Sequence, residues 1–330
     1  MKWILGLICV GILITSCDNT LVVTDKWKDI PVVWGFLSKS DTAHYIRVEK
    51  AFLDPNTSAY DIARIPDSLY YDNAVVTLTR IASGQVYTLT RVDGDAEGYH
   101  REPGTFAESP NYLYKIKANQ IALVAGDTYE FTLLRNDQAE PVTAQTIILP
   151  KPVLRNPNPS AGALLSFRSN VNFLYSWNAM PDAGNFDIHM RFFYDEKSPQ
   201  TGNVFVPDSV EWTVVQGLLE YEYKMPGEEF YTSVSANIDE DPDATRIFKS
   251  IDVIVWCGGK ELEEYVKVAL ANTGITSTQD IPIYSNLLPK GVGKGIFTSR
   301  NVSINAGFGL TNQSLDSLKN GSVTKHLNFK

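Results

Sequence analysis

The sequence predicts a mainly β protein built of two β-sandwich-like domains, the second of which carries two short helices. Short segments rich in β-branched and aromatic residues recur along most of the chain, with glycine, asparagine or aspartate between them, which is typical of antiparallel sandwiches. Only two segments, both in the second half, show a helical period. Four prolines from Pro150 to Pro159 interrupt the pattern, because proline continues neither a central strand nor a helix.

Seven segments of the first half have the composition of strands. Residues 44–50 alternate apolar and polar side chains, which is the period of a half-buried strand. Ser83 and Gly84 separate the third segment from the fourth, and this predicts a hairpin whose turn uses the positive φ that glycine tolerates. The predicted strands are residues 31–37, 44–50, 75–79, 86–90, 112–117, 128–134 and 142–149.

The second half opens with a strand that ends in Trp177, then a short polar turn, then an alternating strand. This order resembles the B–C corner of fibronectin type III and immunoglobulin-like sandwiches, in which the tryptophan fills the core between the sheets. The predicted strands are residues 173–177, 186–192, 210–215, 251–256 and 294–297.

Two segments of the second half predict helices that pack over the sheet. Phe230, Val234 and Ile238 recur every fourth residue, and acidic residues occupy the first turn, where the helix dipole favours them. The second helix is predicted over residues 261–271. Its apolar side consists of Leu262, Tyr265, Val266, Ala269 and Leu270.

The N-terminus has the order of an export signal: Lys2, a short apolar run over residues 3–14, and Ser16 directly before Cys17. The run is shorter than the ~20 apolar residues of a membrane span. The pattern resembles a bacterial lipoprotein signal, in which Cys17 becomes the lipidated first residue; an ordinary secretory signal with a chance cysteine is the alternative. The resulting division is 1–16 signal peptide, 17–30 tether, 31–150 first sandwich, 151–160 proline-rich linker, 161–313 second domain and 314–330 weakly ordered tail.

Charge and cysteine content exclude several classes. The net charge of -9 disfavours nucleic acid and anionic lipid as partners. Cys9 leaves with the signal and Cys17 carries lipid, so that Cys257 has no partner for an intrachain disulfide. Cys257 follows an apolar run and is predicted to be a buried, inert thiol; a nucleophile is the alternative.

No set of residues with catalytic or metal-binding spacing is found, and no cofactor is predicted. The four histidines are scattered, and the alternating glycines over residues 291–295 lack the spacing of a phosphate-binding loop. Two acidic clusters are weak calcium candidates, although solvated turns are the favoured interpretation. The carboxylates concerned are Asp239, Asp241 and Asp243, and then Asp93, Asp95 and Glu97.

Four short motifs consist of aspartate, then serine or threonine, then a small or aliphatic residue. They resemble O-glycosylation sites on exported proteins of the phylum Bacteroidota. The acceptor hydroxyls belong to Thr42, Ser68, Ser209 and Ser317.

Residues 31–37, 44–53 and 72–78 resemble the front of a family of Bacteroidota lipoproteins, domain of unknown function 4249. Tyr265 and the segments 283–286 and 293–297 resemble its closing motifs. The resemblance spans most of the mature chain. It implies an outer-membrane lipoprotein, facing the periplasm or the cell surface, that assists TonB-dependent transporters or envelope assemblies.

The sequence therefore predicts a non-enzymatic lipoprotein that binds a ligand or an envelope protein. One alternative is a carbohydrate-binding module of a nutrient-uptake system, which requires coplanar exposed aromatic rings on one face. Another is a hydrolase with two carboxylates that are distant in sequence. The tryptophans whose positions discriminate the first two are Trp27, Trp34, Trp177, Trp212 and Trp256.

Overall fold

The computed structural model describes residues 28–53, 58–135, 139–271 and 284–330 of the chain. The predicted export segment, Cys17, Trp27 and most of the tether lie outside these residues. Within them the chain is mainly β and forms three sheets around two cores, so that the predicted fold class is confirmed.

The strands and helices of the described residues are as follows. The first eight strands are β1 (Lys28–Leu37), β2 (Ala43–Leu53), β3 (Val75–Arg80), β4 (Gln85–Thr88), β5 (Thr90–Asp93), β6 (Tyr112–Lys117), β7 (Thr128–Leu134) and β8 (Val142–Ile147). The others are β9 (Leu154–Asn156), β10 (Leu164–Leu165), β11 (Asn172–Trp177), β12 (Ala183–Lys197), β13 (Val206–Leu218), β14 (Glu222–Pro226), β15 (Thr245–Gly259) and β16 (Lys294–Leu310). The helices are α1 (Ala59–Ala63), α2 (Pro66–Leu69), α3 (Gly227–Asn237), α4 (Lys260–Ala271) and α5 (Asn312–Asn320), with a 3-10 turn at Lys325–Leu327.

The N-terminal sandwich packs the sheet β4-β3-β7-β8 against β1, β2 and β6, which belong to a nine-stranded sheet. β3 and β4 form the predicted hairpin, and Gly84 in its turn has a φ of 67°. The predicted strand over 86–90 is interrupted at the buried Leu89, whose N–H donates to the carbonyl of Val76. The chain crosses there from the small sheet to the large one, and this crossing closes one side of the core.

The C-terminal sandwich packs the sheet β14-β11-β9 and helix α3 against β12, β13, β15 and β16. Trp177 lies in this core with 3% exposure, as predicted. The predicted stripe of α3 is also buried, and the ring of Phe230 stacks on Phe167 with 4.1 Å between centroids. The acidic first turn of α3 stays at the surface. The helix thus buries its apolar side in the core and keeps negative charge at its N-terminus, where the helix dipole favours it.

Strand β16 joins the two sandwiches. Its first part pairs in parallel with β1, from Val32 opposite Lys294 to Leu37 opposite Ser299. Its second part pairs antiparallel with β15, and this makes the nine-stranded sheet continuous across both sandwiches. Phe297 consequently lies in the N-terminal core although it belongs to the last strand. Independent folding of residues 31–150 and 161–313 stays a prediction.

The proline-rich linker and the tether are shorter than predicted. Leu154 within the predicted linker is 3% exposed and begins β9, which pairs with β11. The tether ends at Lys28, where β1 starts to pair with β2. In both places the segment becomes a strand because it pairs with another strand, and its local composition does not indicate this.

The prediction of a weakly ordered tail over 314–330 is wrong. The side chain of Thr311 caps α5 by accepting a hydrogen bond from the N–H of Ser314 at 3.3 Å. Leu318 and Leu327 are fully buried in the C-terminal core. The described part of the second sandwich therefore carries α3, α4 and α5, one helix more than predicted. A few well-spaced apolar residues are enough to bury a helix face when the core has room for them.

Two tyrosines of the C-terminal core differ in whether their hydroxyls are hydrogen-bonded. Among the residues that the structure describes, the hydroxyl of Tyr175 has no hydrogen-bond partner, and burial raises its pKa. The hydroxyl of Tyr231 donates to the carbonyl of Phe167 at 2.9 Å. An unpaired buried polar group costs about 1–3 kcal/mol, whereas a made hydrogen bond contributes about 1 kcal/mol.

We therefore expect Tyr175→Phe to leave the free energy of unfolding unchanged or to raise it by about 1 kcal/mol. Tyr231→Phe, the matched control, should lower it by about 1 kcal/mol or more, because it removes a made bond. Urea denaturation of both variants checks this. Equal losses in the two variants would show that the Tyr175 hydroxyl has a partner.

Candidate functional site

The nine-stranded sheet has one face that does not contact either core. Along β12 the buried residues alternate with half-buried ones, so that Asp187 and His189 project from the outer face. Trp256 of β15 and Phe36 of β1 project from the same face and are half-buried. This outer face carries two cavities, which together form the candidate site.

The first cavity lies over β12, β13 and β15 and has a volume of about 470 Å³. That volume lies within the range of about 300–1,000 Å³ that small-molecule sites occupy. The half-buried ring of Trp256 and several polar side chains line the cavity. Its lining includes Asp187, His189, Glu211, Gln216 and Trp256.

The second cavity lies over β1 and β2 and has a volume of about 540 Å³. Its lining includes Asp41, Tyr45, Glu97 and Tyr99. Phe36 and Arg300 line both cavities, so that the two adjoin. We call them together the outer-face groove.

Helix α4 forms one wall of the groove because glycines let it lie close to the sheet. A Cβ on Gly258 would be 2.5 Å from Leu262, and one on Gly184 would be 2.7 Å from the Cβ of Glu263. Tyr265 packs edge-on against Trp34 at 5.7 Å. The predicted apolar side of α4 is thus partly covered, although Leu270 is 65% exposed.

The polar groups of the first cavity are held in place by neighbours. Glu211 accepts a hydrogen bond from Nε of Arg191 at 2.8 Å and is ion-paired with Nη2 of the same residue at 2.7 Å. It also lies 3.4 Å from Nδ1 of His189. Asp187 accepts from the N–H of Gly217 at 2.8 Å. The two carboxylates therefore line one cavity, but each already accepts a hydrogen bond.

A charged triad closes the second cavity. The hydroxyl of Tyr45 donates to Glu97 at 2.8 Å, and Lys115 forms an ion pair with the same carboxylate. The hydrogen bonds from Lys115 and Tyr45 lower the pKa of Glu97, whereas burial and the Glu97 hydrogen bond raise the pKa of Tyr45. At neutral pH the triad thus presents an ionised acceptor beside a protonated phenol. The ring of Tyr99, 51% exposed, packs against Tyr45 at 4.7 Å.

Arg300 connects the two cavities. Its guanidinium lies 3.4 Å from Asp41 on one side and 5.9 Å from the ring centroid of Trp256 on the other. Sequence reasoning did not select Arg300, Glu211 or His189. These three residues share only a position on the outer face of the nine-stranded sheet. Which strands are neighbours in that sheet cannot be seen in the sequence.

The predicted glycosylation residues differ in accessibility. Thr42 is exposed and lines the second cavity, and Ser209 is exposed on β13. Ser68 is half-buried, and its hydroxyl donates to the carbonyl of Ile62 at 2.6 Å. Ser317 is half-buried on α5. The four motifs thus do not form a common surface.

The predicted acidic residues lie in surface turns and loops, except Asp93, which ends β5, and Glu97, which belongs to the triad of the second cavity. Asp241 accepts from the N–H of Asp243 at 2.9 Å, and the carbonyl of Asp239 accepts from Arg246. Asp95 accepts from Asn111 at 3.4 Å. Within the residues that the structure describes, no three histidine, cysteine, aspartate or glutamate side chains are arranged to hold a metal.

Cys257 is buried, and its position bears on nucleophilic chemistry. Burial raises the pKa of its thiol to about 12. The thiol donates to the carbonyl of Asn301 at 3.6 Å. A thiolate is the reactive form of cysteine, and this environment disfavours it at neutral pH.

The tryptophans divide between core and outer face. Trp177 and Trp212 lie in the C-terminal core, and Trp34 and Trp256 lie on the outer face. The ring pairs on that face are not coplanar: Trp34 and Tyr265 meet at 86°, and Tyr45 and Tyr99 at 56°. The outer face therefore presents several separate ring surfaces at different angles.

Comparison with known proteins adds two solved structures of low similarity. No family model and no curated protein matches the chain. The C-terminal globular domain of an oligosaccharyltransferase from Pyrococcus abyssi is 11% identical over 69% of this chain and 45% of that chain, with a TM-score of 0.23. The FN1–FN3 domains of chicken CNTN1 are 12% identical over 83% of this chain and 65% of that chain, with a TM-score of 0.18. This chain thus spans less than two thirds of either one.

No helix in the described parts of the chain combines the length and the apolar character needed to cross a bilayer.

Proposed function

We propose that the protein is a non-enzymatic binding subunit of the bacterial cell envelope, attached to the outer membrane by lipid on Cys17. The observation that supports binding is the outer-face groove, whose two adjoining cavities each have the volume of a ligand site. Rings and hydrogen-bonding groups alternate along it. The partner we propose is an outer-membrane protein such as a TonB-dependent transporter.

The environment of the polar groups favours binding over catalysis. A hydrolase needs one carboxyl group that acts as an acid and another that is free to act as a base or nucleophile. Glu211 is instead paired with Arg191, and Asp187 accepts a backbone hydrogen bond. Cys257 is a buried thiol. These groups are positioned as fixed donors and acceptors, which suits recognition.

A lipid anchor on Cys17 would keep the sandwiches close to the membrane, because the tether is short. Residues 17–27 precede β1 and span at most ~40 Å when extended. A lipid on Cys17 would hold the sandwiches within that distance of the bilayer. An integral outer-membrane protein is therefore within reach of the body of this chain.

A photo-crosslinking residue in place of Gln216 tests the proposal. Gln216 is exposed at the edge of the first cavity, so that the substitution should not disturb the fold. After irradiation of intact envelopes we expect an adduct, identified by mass spectrometry as an outer-membrane protein or a bound ligand. Val153, 60% exposed and outside the groove lining, is the control position.

Absence of an adduct at Gln216, or equal adducts at both positions, would contradict the proposal. Either result would mean that the groove does not bind selectively.

A further inference from the structure

The outer-face groove crosses the strands rather than following them. Asp187 and Trp256 are directly opposite each other on β12 and β15, and Gly258 is opposite Arg300 of β16. Tyr45 of β2 is opposite Lys115 of β6. From β13 to β2 the groove therefore crosses six strands, which is ~24 Å at a spacing of ~4.8 Å. A groove of this length fits an elongated ligand.

Only side chains are available for recognition on this face. The backbone groups of the central strands are paired within the sheet, so that a peptide cannot add to them as a further strand. The side chains provide separate ring surfaces, from Trp256 through Phe36 to Tyr99. Between the rings lie carboxylate, amide, imidazole and guanidinium groups. A fitting ligand has apolar faces and many neutral hydrogen-bonding groups along its length.

Three of the four carboxylates that line the groove lie beside a cation. Glu211 is paired with Arg191, Arg300 lies beside Asp41, and Glu97 is paired with Lys115. The fourth, Asp187, accepts a hydrogen bond from the N–H of Gly217 instead. A polyanionic ligand would therefore meet no excess of positive charge in the groove. The paired carboxylates still have free lone pairs, because each can accept about four hydrogen bonds.

We infer that the outer-face groove binds a neutral oligosaccharide, whose successive sugar rings contact separate aromatic rings along the groove rather than one coplanar platform. A sugar ring has a C–H face that packs on aromatic rings and hydroxyl groups that both donate and accept hydrogen bonds. Each sugar unit of an oligosaccharide offers such a C–H face and such hydroxyl groups. The groove likewise provides aromatic rings and hydrogen-bonding groups along its length. The inference rests on the proposed function, since it names the ligand class for the same groove.

Calorimetric titration of the full chain with neutral hexasaccharides tests the inference. The probes are the β-1,4-linked glucan, mannan and xylan and the α-1,4-linked glucan, with a polyanionic galacturonic acid hexamer for comparison. We expect at least one neutral probe to bind at one site. Tyr99→Ala and Trp256→Ala should each weaken that binding about tenfold or more, because each removes one ring surface.

Tyr60→Ala is the matched control for Tyr99→Ala. Tyr60 is 70% exposed on α1, and it is not part of the groove lining, so that its removal should leave affinity unchanged. Tyr99 is itself 51% exposed, and its truncation should not unfold the protein even if loss of Trp256 does.

Three results would overturn the inference: no neutral probe binds, the anionic hexamer binds more tightly than every neutral probe, or both groove variants bind as tightly as the unaltered protein. If a selective crosslink forms at Gln216 while no neutral probe binds, the ligand class is wrong and the proposed function stands. If that crosslink fails as well, both are wrong.

Discussion

Cys17→Ala is expected to release the protein from the membrane completely. The small residue Ser16 and the apolar run over 3–14 place Cys17 at the cleavage position of a lipoprotein-type signal. The attached lipid is the membrane anchor that the sequence motifs predict, and each buried CH₂ of an acyl chain contributes about 0.8 kcal/mol to membrane binding. Without the thiol no acyl chain is attached, and the protein should move to the soluble fraction.

Fractionation of envelopes after a high-salt wash measures this release. Cys9→Ala is the control, because Cys9 lies inside the apolar run and its replacement keeps the signal apolar. If the Cys17→Ala protein remains with washed outer membranes, lipid on Cys17 is not the anchor.

Gly295→Ala is expected to cause the largest loss of stability among the substitutions considered. Gly295 lies opposite Val33 in the parallel pairing of β16 with β1, and its φ is +102°. A Cβ at this position would be 2.0 Å from the carbonyl oxygen of Val33. Relief of that clash requires one strand to move away from the other, and these are the strands that join the two sandwiches. We expect the free energy of unfolding to fall by about 4 kcal/mol or more.

Gly84→Ala is the control that measures the cost of a positive φ without a steric clash. Gly84 has a φ of +67°, but no atom lies within 4 Å of the position of its Cβ. Its replacement should cost about 1–2 kcal/mol, the strain of a left-handed alanine alone. Urea denaturation of both variants gives the comparison. Similar losses for the two glycines would mean that the β1–β16 pairing adjusts easily.

Strand β16 also bears on how the chain folds. Phe297 fills the N-terminal core, and its ring lies 5.6 Å from that of Phe131. The N-terminal sandwich is therefore completed by residues from the end of the chain. A fragment limited to residues 31–150 would lack that side chain and the parallel partner of β1.

Local sequence patterns predicted many individual strands accurately. The expected strands over 112–117 and 128–134 agree with β6 and β7 at both ends. The stripe of α3 and the buried Trp177 also agree. These elements each bury one face against a core, and a buried face gives its sequence a period that can be recognised without the rest of the fold.

The remaining elements depend on contacts between distant residues. β9 is three residues long and exists because β11 pairs with it. Helix α5 has few apolar residues, and its Leu318 is buried because the C-terminal core leaves room for it. β16 extends to Leu310 rather than ending near Phe297, since it exchanges one partner strand for another. No local pattern specifies such pairings.

The sequence by itself determined the fold class and most strand positions, because these depend on composition and period. Attachment through Cys17 is predicted from a short motif. Only the tertiary structure decided where a ligand could bind. Phe36, Trp256 and Arg300 are far apart in the chain and meet because β1, β15 and β16 belong to one sheet. Their outward positions leave no shared pattern in the sequence. A binding surface is formed by residues that are neighbours across strands, and the order of the strands is set by the packing of both cores.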